Sequence, residues 1–269
     1  MSSGQRGGDV AADLLRAGER IAAKGIELGA PLHLLAATTS TNDEAKRAAK
    51  EGAPHGSVWV AESQTAGRGR QGRAWVSPPG ENLLFSVLVR LTCAPARLPP
   101  LALVAGLAAR DAIARAAPEA DVRLKWPNDV VTGEARRKIA GVLVEATLVG
   151  GRVEAIIVGI GINVHARAFP DDIAARATSI ALLAGSAPDR ATVLADVLAA
   201  LDRDLPLAAA RGLGPLHARL TAVDALRGQR IQSESGEGIA EGIDVDGRLR
   251  VRTDDGVLVR WGAGEVHLI

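Results

Sequence analysis

Hydrophobic positions along the chain change their pattern near residue 225. Before that point, apolar runs of strand length alternate with apolar stripes at helical spacing, which predicts a sheet flanked by helices. From residue 228 onward, five short β-like runs alternate with Gly/Asp/Ser turns, which is typical of a small barrel. The pattern predicts a leader with a short helix at 1–30, a main domain at 31–224 and a barrel at 225–269.

Strands of the main domain are predicted where apolar residues continue without polar breaks. These runs cover residues 31–37, 57–61, 82–90, 121–125, 138–145 and 153–164. The last two flank Gly150-Gly151 and predict an antiparallel hairpin. Helical spacing is found at residues 9–24, 39–50, 101–117, 189–205 and 213–220. The fold class that follows is α+β, with a mixed, largely antiparallel sheet.

Composition limits the class of protein. An apolar content of 47% supports a buried core, and a net charge of +1 argues against a nucleic-acid-binding surface. Cys93 is the single cysteine, which excludes an intrachain disulfide and a cysteine-rich metal site. No run of about 18 apolar residues predicts a membrane span. We expect a cytoplasmic protein with neither nucleic acid nor membrane as a partner.

The loop at residues 62–75 joins two apolar runs and combines glycines with arginines. Glycine can take positive φ and lets the backbone approach a ligand, while guanidinium groups bind phosphate or carboxylate. The residues concerned are Gly67, Gly69, Gly72, Arg68, Arg70 and Arg73. We call residues 62–75 the Arg/Gly loop and expect it to close over an anion, although a solvated arginine loop is an alternative.

The glycines of the Arg/Gly loop also fit the spacing of the dinucleotide fingerprint. That motif must follow a strand directly and open a helix, so that phosphates meet the helix N-terminus. Here Pro-Pro-Gly at residues 78–80 interrupts any such helix. The context therefore argues against a Rossmann fold.

Lysine is scarce in this chain, which has 27 arginines but only five lysines. After Lys50 the only lysines are Lys125 and Lys138. A compact ammonium group and a planar guanidinium are not interchangeable, so we expect these two lysines to serve a purpose that arginine cannot. For Lys138, a solvated position beside Arg136 and Arg137 is the alternative.

Five stretches match one family in order and at consistent distances. They are Ser40-Thr-Asn42, Gln64 with residues 67–72, Lys-Trp-Pro-Asn-Asp at 125–129, residues 138–145 (Lys-Ile-Ala-Gly-Val-Leu-Val-Glu) and Gly-Ile-Gly-Ile-Asn at 159–163. The set resembles bacterial biotin–protein ligase, also called biotin–[acetyl-CoA-carboxylase] ligase, from about residue 32 to the end. The resemblance implies a biotin/lipoate ligase-like catalytic domain and an SH3-like C-terminal barrel. Larger members carry an N-terminal DNA-binding domain; we expect the short form without it and no transcriptional role.

The resemblance implies that ATP activates biotin as biotinyl-5′-AMP, which then modifies a lysine of the biotin carboxyl carrier domain of acetyl-CoA carboxylase. The first step brings two anions together, so the site must supply cationic groups and exclude water. Biotin, ATP and Mg²⁺ are the implied substrates and cofactor. A lipoate–protein ligase of the same fold and a non-catalytic module that senses biotin or its adenylate are the alternatives. The sequence leaves the oligomeric state open, including a homodimer.

The resemblance also implies roles for individual residues. Those matching the biotin site are Ser40, Thr41, Asn42, Gln64, Arg68, Gly69, Arg70, Lys138, Gly159 and Gly161. Those matching the ATP site are Arg68, Arg70, Lys125, Asn128, Lys138 and Asn163, with catalytic roles for Lys138, Arg68, Arg70 and Lys125. Asp129 is the candidate ligand for Mg²⁺.

Each motif also has a plain structural explanation. Residues 40–42 fit helix capping, with Thr41 and Glu44 as a capping box. Residues 126–129 fit an ordinary turn, and Gly159 and Gly161 fit strand glycines at a bulge. The five histidines have no metal-ligand spacing, and we expect structural or surface positions for His33, His55, His165, His217 and His267.

Overall fold

The computed structural model describes residues 10–186 and 188–269. Within these ranges, the main domain contains a seven-stranded sheet. Its strands are β1 Leu32–Leu35, β2 Val58–Ala61, β3 Leu83–Val89, β4 Val122–Lys125, β5 Asp129–Thr132, β6 Arg137–Val149 and β7 Arg152–Ile162. The spatial order is β1-β2-β3-β7-β6-β5-β4, with β1 and β2 parallel and all other neighbours antiparallel. The predicted α+β fold with a mixed, largely antiparallel sheet is confirmed.

Helices cover both faces of this sheet. They are α1 Ala12–Leu15, α2 Ala17–Ala22, α3 Thr41–Lys50, α4 Leu98–Ala116, α5 Asp171–Ala174, α6 Ile180–Ala184, α7 Arg190–Arg211 and α8 His217–Ala222. α4 and α7 pack together over the larger core, while α3 covers the opposite face around Trp59, Leu88 and Ile157. β3 is buried along its whole length, which explains its uninterrupted apolar sequence.

Two local predictions were wrong. The helix predicted over 9–24 divides at Arg16 into α1 and α2, and residue 9 lies outside the described ranges. Leu14 and Ile21 are buried near α7, whereas Leu15 is 62% exposed. β5 was not predicted, because it has only four residues and directly follows the turn residues at 126–128.

The C-terminal domain contains the five predicted strands. They are β8 Arg230–Ser233, β9 Gly236–Ile243, β10 Leu249–Arg252, β11 Leu258–Trp261 and β12 His267–Leu268. They form one antiparallel sheet in the order β11-β10-β9-β8-β12. The indole Nε1 of Trp126 donates a hydrogen bond to Gly247 O at 2.9 Å, so the turn after β4 holds this domain against the main sheet.

Over the ranges the structure describes, no helix has both the length and the hydrophobicity needed to cross a bilayer.

Candidate active site

One cavity of about 480 Å³ lies over the face of the main sheet that carries the start of α3. The Arg/Gly loop, the turn between β4 and β5, strands β6 and β7, and the C-terminal domain all contribute to its walls. Every site residue expected from the sequence lines it: Ser40, Thr41, Asn42, Gln64, Arg68, Gly69, Arg70, Lys125, Asn128, Asp129, Lys138, Gly159, Gly161 and Asn163. The fold thus brings together residues that are far apart in the chain; their individual roles stay predictions.

Hydroxyl and amide groups form one end of the cavity. The backbone N–H and Oγ1 of Thr41 donate to Gln64 Oε1 at 2.7 and 3.2 Å. The hydroxyl of Ser86 lies 2.8 Å from Thr41 Oγ1 and 2.6 Å from Asn42 Oδ1. Asn42 Nδ2 donates to Glu145 Oε2 at 2.7 Å. These polar groups are held by one another and present fixed donors and acceptors to a ligand.

The predicted capping box at α3 is not formed. Ser40 is the residue before the helix, and its side chain makes no capping hydrogen bond. Gln64 instead accepts the N–H of Thr41, and Glu44 accepts the hydroxyl of Thr38 at 2.7 Å. A tertiary contact from the Arg/Gly loop therefore replaces the local cap that the sequence indicated.

Gly159 and Gly161 make room for side chains of this site. A Cβ atom on Gly159 would lie 2.1 Å from Asn42 Oδ1, and one on Gly161 would lie 2.6 Å from the Trp75 ring. Gly141 lies opposite Gly161 on β6, and its Cβ would lie 3.0 Å from the same ring. Pairing between β6 and β7 is regular at these positions, so the bulge alternative is wrong.

Cationic side chains form the other end. Lys138 Nζ lies 2.7 Å from Asp129 Oδ1 and 5.4 Å from the centroid of the Trp75 ring. Burial lowers the pKa of Lys125, and the nearby Asp129 carboxylate opposes that shift. Burial also lowers the pKa of Arg70, whose Nη1 donates to Asn128 Oδ1 at 3.2 Å. These groups can attract and align anions.

Ion pairs hold the Arg/Gly loop against its surroundings. Arg68 makes a two-point contact with Asp43 on α3, and its hydrogen bonds lower the pKa of that carboxyl. Arg73 Nη1 lies 2.5 Å from Glu265 Oε1 of the C-terminal domain. Of the three loop glycines, Gly72 takes positive φ, whereas Gly67 and Gly69 do not.

Close approach explains one of those two glycines. A Cβ on Gly67 would lie 2.6 Å from Trp75 O, which accounts for glycine at that position.

The absence of a helix after this loop confirms the argument against a Rossmann fold. Residues 73–82 run without helix to β3, which pairs antiparallel with β2.

Sequence reasoning did not identify several residues of the cavity wall. Phe169 and Arg176 come from the segment after β7, while Glu265 and His267 come from the C-terminal domain. His267 was expected at a structural or surface position, and it is exposed at the cavity wall. No local pattern marks these residues, because tertiary contacts bring them to the site: the path of the chain after β7 for Phe169 and Arg176, and the docking of the C-terminal domain for Glu265 and His267. Within the described ranges, no group of three His, Cys, Asp or Glu side chains could hold a metal ion.

Two family models match the chain. Residues 34–163 match the biotin/lipoate A/B protein ligase family, and residues 228–268 match the biotin protein ligase C-terminal domain. The biotin–[acetyl-CoA-carboxylase] ligase of Mycobacterium tuberculosis is 35% identical over 247 residues, which cover 88% of this chain and 89% of that protein. The chain belongs to the biotin protein ligase family. The resemblance stated from the five motifs is confirmed.

Other members of the family match the chain in fold or in sequence. The biotin protein ligase of Aquifex aeolicus, in complex with biotin and ATP, superposes with a TM-score of 0.75 at 31% identity, covering 88% of this chain and 98% of that one. The bifunctional ligase/repressor of Salmonella typhimurium is 36% identical over 217 residues, which cover 79% of this chain. The chain spans 67% of that protein's length. The domain boundaries at 31–224 and 225–269 stay predictions.

Proposed function

We propose that this chain is an ATP-dependent biotin protein ligase. It activates biotin as biotinyl-5′-AMP and transfers the biotinyl group to a lysine of the biotin carboxyl carrier domain of acetyl-CoA carboxylase. The observation that carries the proposal is the convergence of Arg68, Lys125 and Lys138 on one cavity that also holds a cluster of amide and hydroxyl groups. Named relatives support it: one is a biotin–[acetyl-CoA-carboxylase] ligase, and one structure holds biotin and ATP.

The amide and hydroxyl end suits the ureido ring of biotin. A ureido group has one carbonyl acceptor and two N–H donors, and the side chains of Ser40, Thr41 and Asn42 offer both kinds of partner. Asn42 is held by Ser86 and Glu145, so its amide is oriented before a ligand binds. This end fixes the ring and directs the carboxylate toward the cationic end.

Adenylate formation requires an oxygen of biotin's carboxylate to attack the α-phosphorus of ATP. The bond to the β-phosphate then breaks, and diphosphate leaves. Lys138 projects from the interior strand β6, so its ammonium group has a fixed position from which to stabilise the carboxylate and the α-phosphate. In the free protein it is paired with Asp129, and an anionic ligand supplies a competing partner.

Transfer to the acceptor requires the activated acid to survive until an amine arrives. The ε-amine of the acceptor lysine attacks the acyl carbon, loses a proton to solvent and displaces AMP. The Arg/Gly loop supplies Arg68 and Arg70 at the cavity and shields the mixed anhydride from water when it closes.

Asp129 fits a role in holding nucleotide-bound Mg²⁺. Magnesium is usually bound by one or two protein carboxylates together with phosphate oxygens and water, and Asp129 offers one carboxylate beside Lys125 in the cavity. When bound, Mg²⁺ would offset the charge of the phosphates. The cytoplasmic location and a homodimer stay predictions from the sequence.

Mass spectrometry of a biotin carboxyl carrier domain tests the proposal. We expect this protein, biotin and Mg-ATP to add one biotinyl group to one lysine, whereas lipoate in place of biotin should add none. Replacing Lys138 by Ala should lower the rate about 100- to 1,000-fold, since a preorganised charge at the reacting phosphate is lost. Replacing Lys24 by Ala is the matched control, because Lys24 pairs with Asp196 away from the cavity.

Each result has a defined meaning. Lipoate-dependent ATP–diphosphate exchange without biotin-dependent exchange would favour the lipoate ligase. Binding of biotin without any exchange would favour a sensing module. A Lys138→Ala protein that modifies the carrier at a near-normal rate would contradict the role given to Lys138.

A further inference from the structure

Arg190 is a charged residue inside the protein that the ligase mechanism does not use. It begins α7, and its side chain is 1% exposed. All five of its N–H groups have acceptors: Asp13 accepts from Nε and Nη2 at 2.8 and 2.7 Å, Glu62 from Nη1 and Nη2 at 2.8 and 3.1 Å, and Asn82 O from Nη1 at 3.1 Å. A fully paired guanidinium fixes the geometry of the groups around it.

Two of these acceptors lie at opposite ends of one loop. Glu62 directly follows β2 and is the first residue of the Arg/Gly loop, while Asn82 directly precedes β3. The Glu62 carbonyl also accepts the N–H of Gly80 at 3.3 Å, and Asn82 Nδ2 donates to Ser77 Oγ at 2.9 Å. One buried guanidinium therefore joins both ends of the segment that carries Gln64, Arg68, Arg70 and Trp75.

The third acceptor comes from the leader before the main sheet. Asp13 belongs to α1, and the N–H of the nearby Ala11 donates to Glu62 Oε1 at 2.8 Å. Burial acts to raise the pKa of Asp13, but the hydrogen bonds and charge of Arg190 outweigh it and lower the pKa. Asp13 is therefore a carboxylate at neutral pH, and it shares Arg190 Nη2 with Glu62 of the loop.

We infer that Asp13 and Arg190 are positioning residues for the Arg/Gly loop. They fix the separation and orientation of the two ends of segment 62–82, which contains the loop, so that Gln64, Arg68 and Arg70 meet the ligand in one geometry each time the loop closes. The leader is then a support of the ligand site. The ligand part of this inference rests on the proposed ligase function, whereas the anchoring part can be measured without any ligand.

Asp13→Ala is the informative variant, since removing Arg190 itself would leave the buried carboxylate of Glu62 and the half-buried carboxylate of Asp13 unpaired and threaten folding. Asp202→Ala is its matched control. Asp202 Oδ1 accepts the N–H groups of Glu27 and Leu28 at 3.2 Å each, so it holds the other end of the same leader on the same helix α7. It does not contact the loop in any hydrogen bond of the described residues.

Limited trypsin digestion without substrates tests the anchoring. Trypsin cleaves after arginine, and Arg68, Arg70 and Arg73 lie on the loop. We expect Asp13→Ala to be cleaved there about five-fold or more faster than the unchanged protein, because local opening becomes easier. Asp202→Ala should be cleaved there at the unchanged rate. Equal loop cleavage in the two variants would overturn the inference, whatever the enzyme's activity.

Kinetics then test the consequence for the ligand. Asp13→Ala should raise the KM for biotin in ATP–diphosphate exchange about five-fold or more and release more free biotinyl-5′-AMP per transfer. Asp13→Glu, which keeps the carboxylate, should bring both the KM for biotin and the release of free biotinyl-5′-AMP most of the way back to the values of the unchanged protein. Unchanged KM and release in Asp13→Ala, with only its Tm lowered, would show a merely structural role. If the unchanged protein performs no exchange, the ligase proposal fails, and the digestion alone decides the anchoring.

Discussion

The orientation of single side chains at this site depends on close contacts with their neighbours. Asn42 is the clearest case: Ser86 and Glu145 bind the two ends of its amide, and Gly159 lies against its Oδ1. Lys46 pairs with the same Glu145, so the orientation of one amide rests on residues from α3, β3 and β6. The group proposed to bind biotin is thus oriented by Ser86, Glu145 and Lys46, which do not line the cavity.

Replacing Gly159 by Ala should weaken biotin binding much more than it weakens the fold. The added Cβ would lie 2.1 Å from Asn42 Oδ1, so the amide must move and lose its hydrogen bonds. Losing an oriented polar contact of about 1.5–3 kcal/mol corresponds to a KM for biotin raised about 10- to 100-fold. Steady-state exchange at saturating ATP measures this KM.

Gly262→Ala is the control for that variant, because its Cβ would meet open space. It should leave the KM for biotin unchanged. A Gly159→Ala protein whose KM for biotin matches that of the control would show that Asn42 does not bind this ligand.

Elements with strong local patterns were predictable, and elements defined by tertiary contacts were not. β3 and β10 follow directly from their apolar runs and turn residues, and the motifs at 125–129 and 138–145 were correctly brought to one cavity. By contrast, β5 is short and begins at a turn, and the start of α3 is satisfied by Gln64 from another segment. Phe169 reaches the site from the irregular segment after β7 and Glu265 through docking of the C-terminal domain, and neither leaves a periodic signal in the sequence.

The Arg/Gly loop should resist proteolysis only when both substrates are bound. In the free protein it is tied by the exposed pairs Arg68–Asp43 and Arg73–Glu265, and such pairs contribute little because water screens them. Biotin with ATP should slow trypsin cleavage in this loop about 10-fold or more, since closure removes the open state. Cleavage after Arg152, at the exposed tip of the β6–β7 hairpin, is the internal control and should not change. Equal loop cleavage with and without substrates would argue against closure.

At the scale of the whole molecule, the two domains share a junction that is partly polar and buried. Leu124 N donates to Val223 O at 2.8 Å, and Ala225 N donates to Leu124 O at 2.9 Å, so the connection between the domains runs beside β4 and next to Lys125. Asp224 lies within this connection and is 4% exposed. Its Oδ1 accepts from Leu226 N–H at 2.9 Å, whereas Oδ2 has no hydrogen bond from any residue the structure describes.

The stability of the protein should therefore carry a pH-dependent contribution from Asp224. Burial raises the pKa of Asp224 above its ordinary value of 3.8, so the folded protein binds this proton more tightly than the unfolded chain does. The resulting stabilisation is complete below the unfolded pKa and is lost as pH rises through the folded pKa. Asp224→Asn keeps the acceptor for Leu226 and does not ionise. Its free energy of unfolding should thus rise relative to the unchanged protein over this pH interval.

Asp204→Asn is the control with the opposite sign. Burial acts to raise the pKa of Asp204, but hydrogen bonds from Arg203 and Arg219 lower it below 3.8, so this carboxyl is ionised in both states above about pH 5. Urea unfolding between about pH 5 and 7 should show that Asp204→Asn lowers the free energy of unfolding by a constant amount, whereas the effect of Asp224→Asn on it changes with pH. If the effects of both variants on the free energy of unfolding stay constant with pH, Asp224 is solvated at the junction like an ordinary carboxylate. The domain contact would then be looser than the buried side chain indicates.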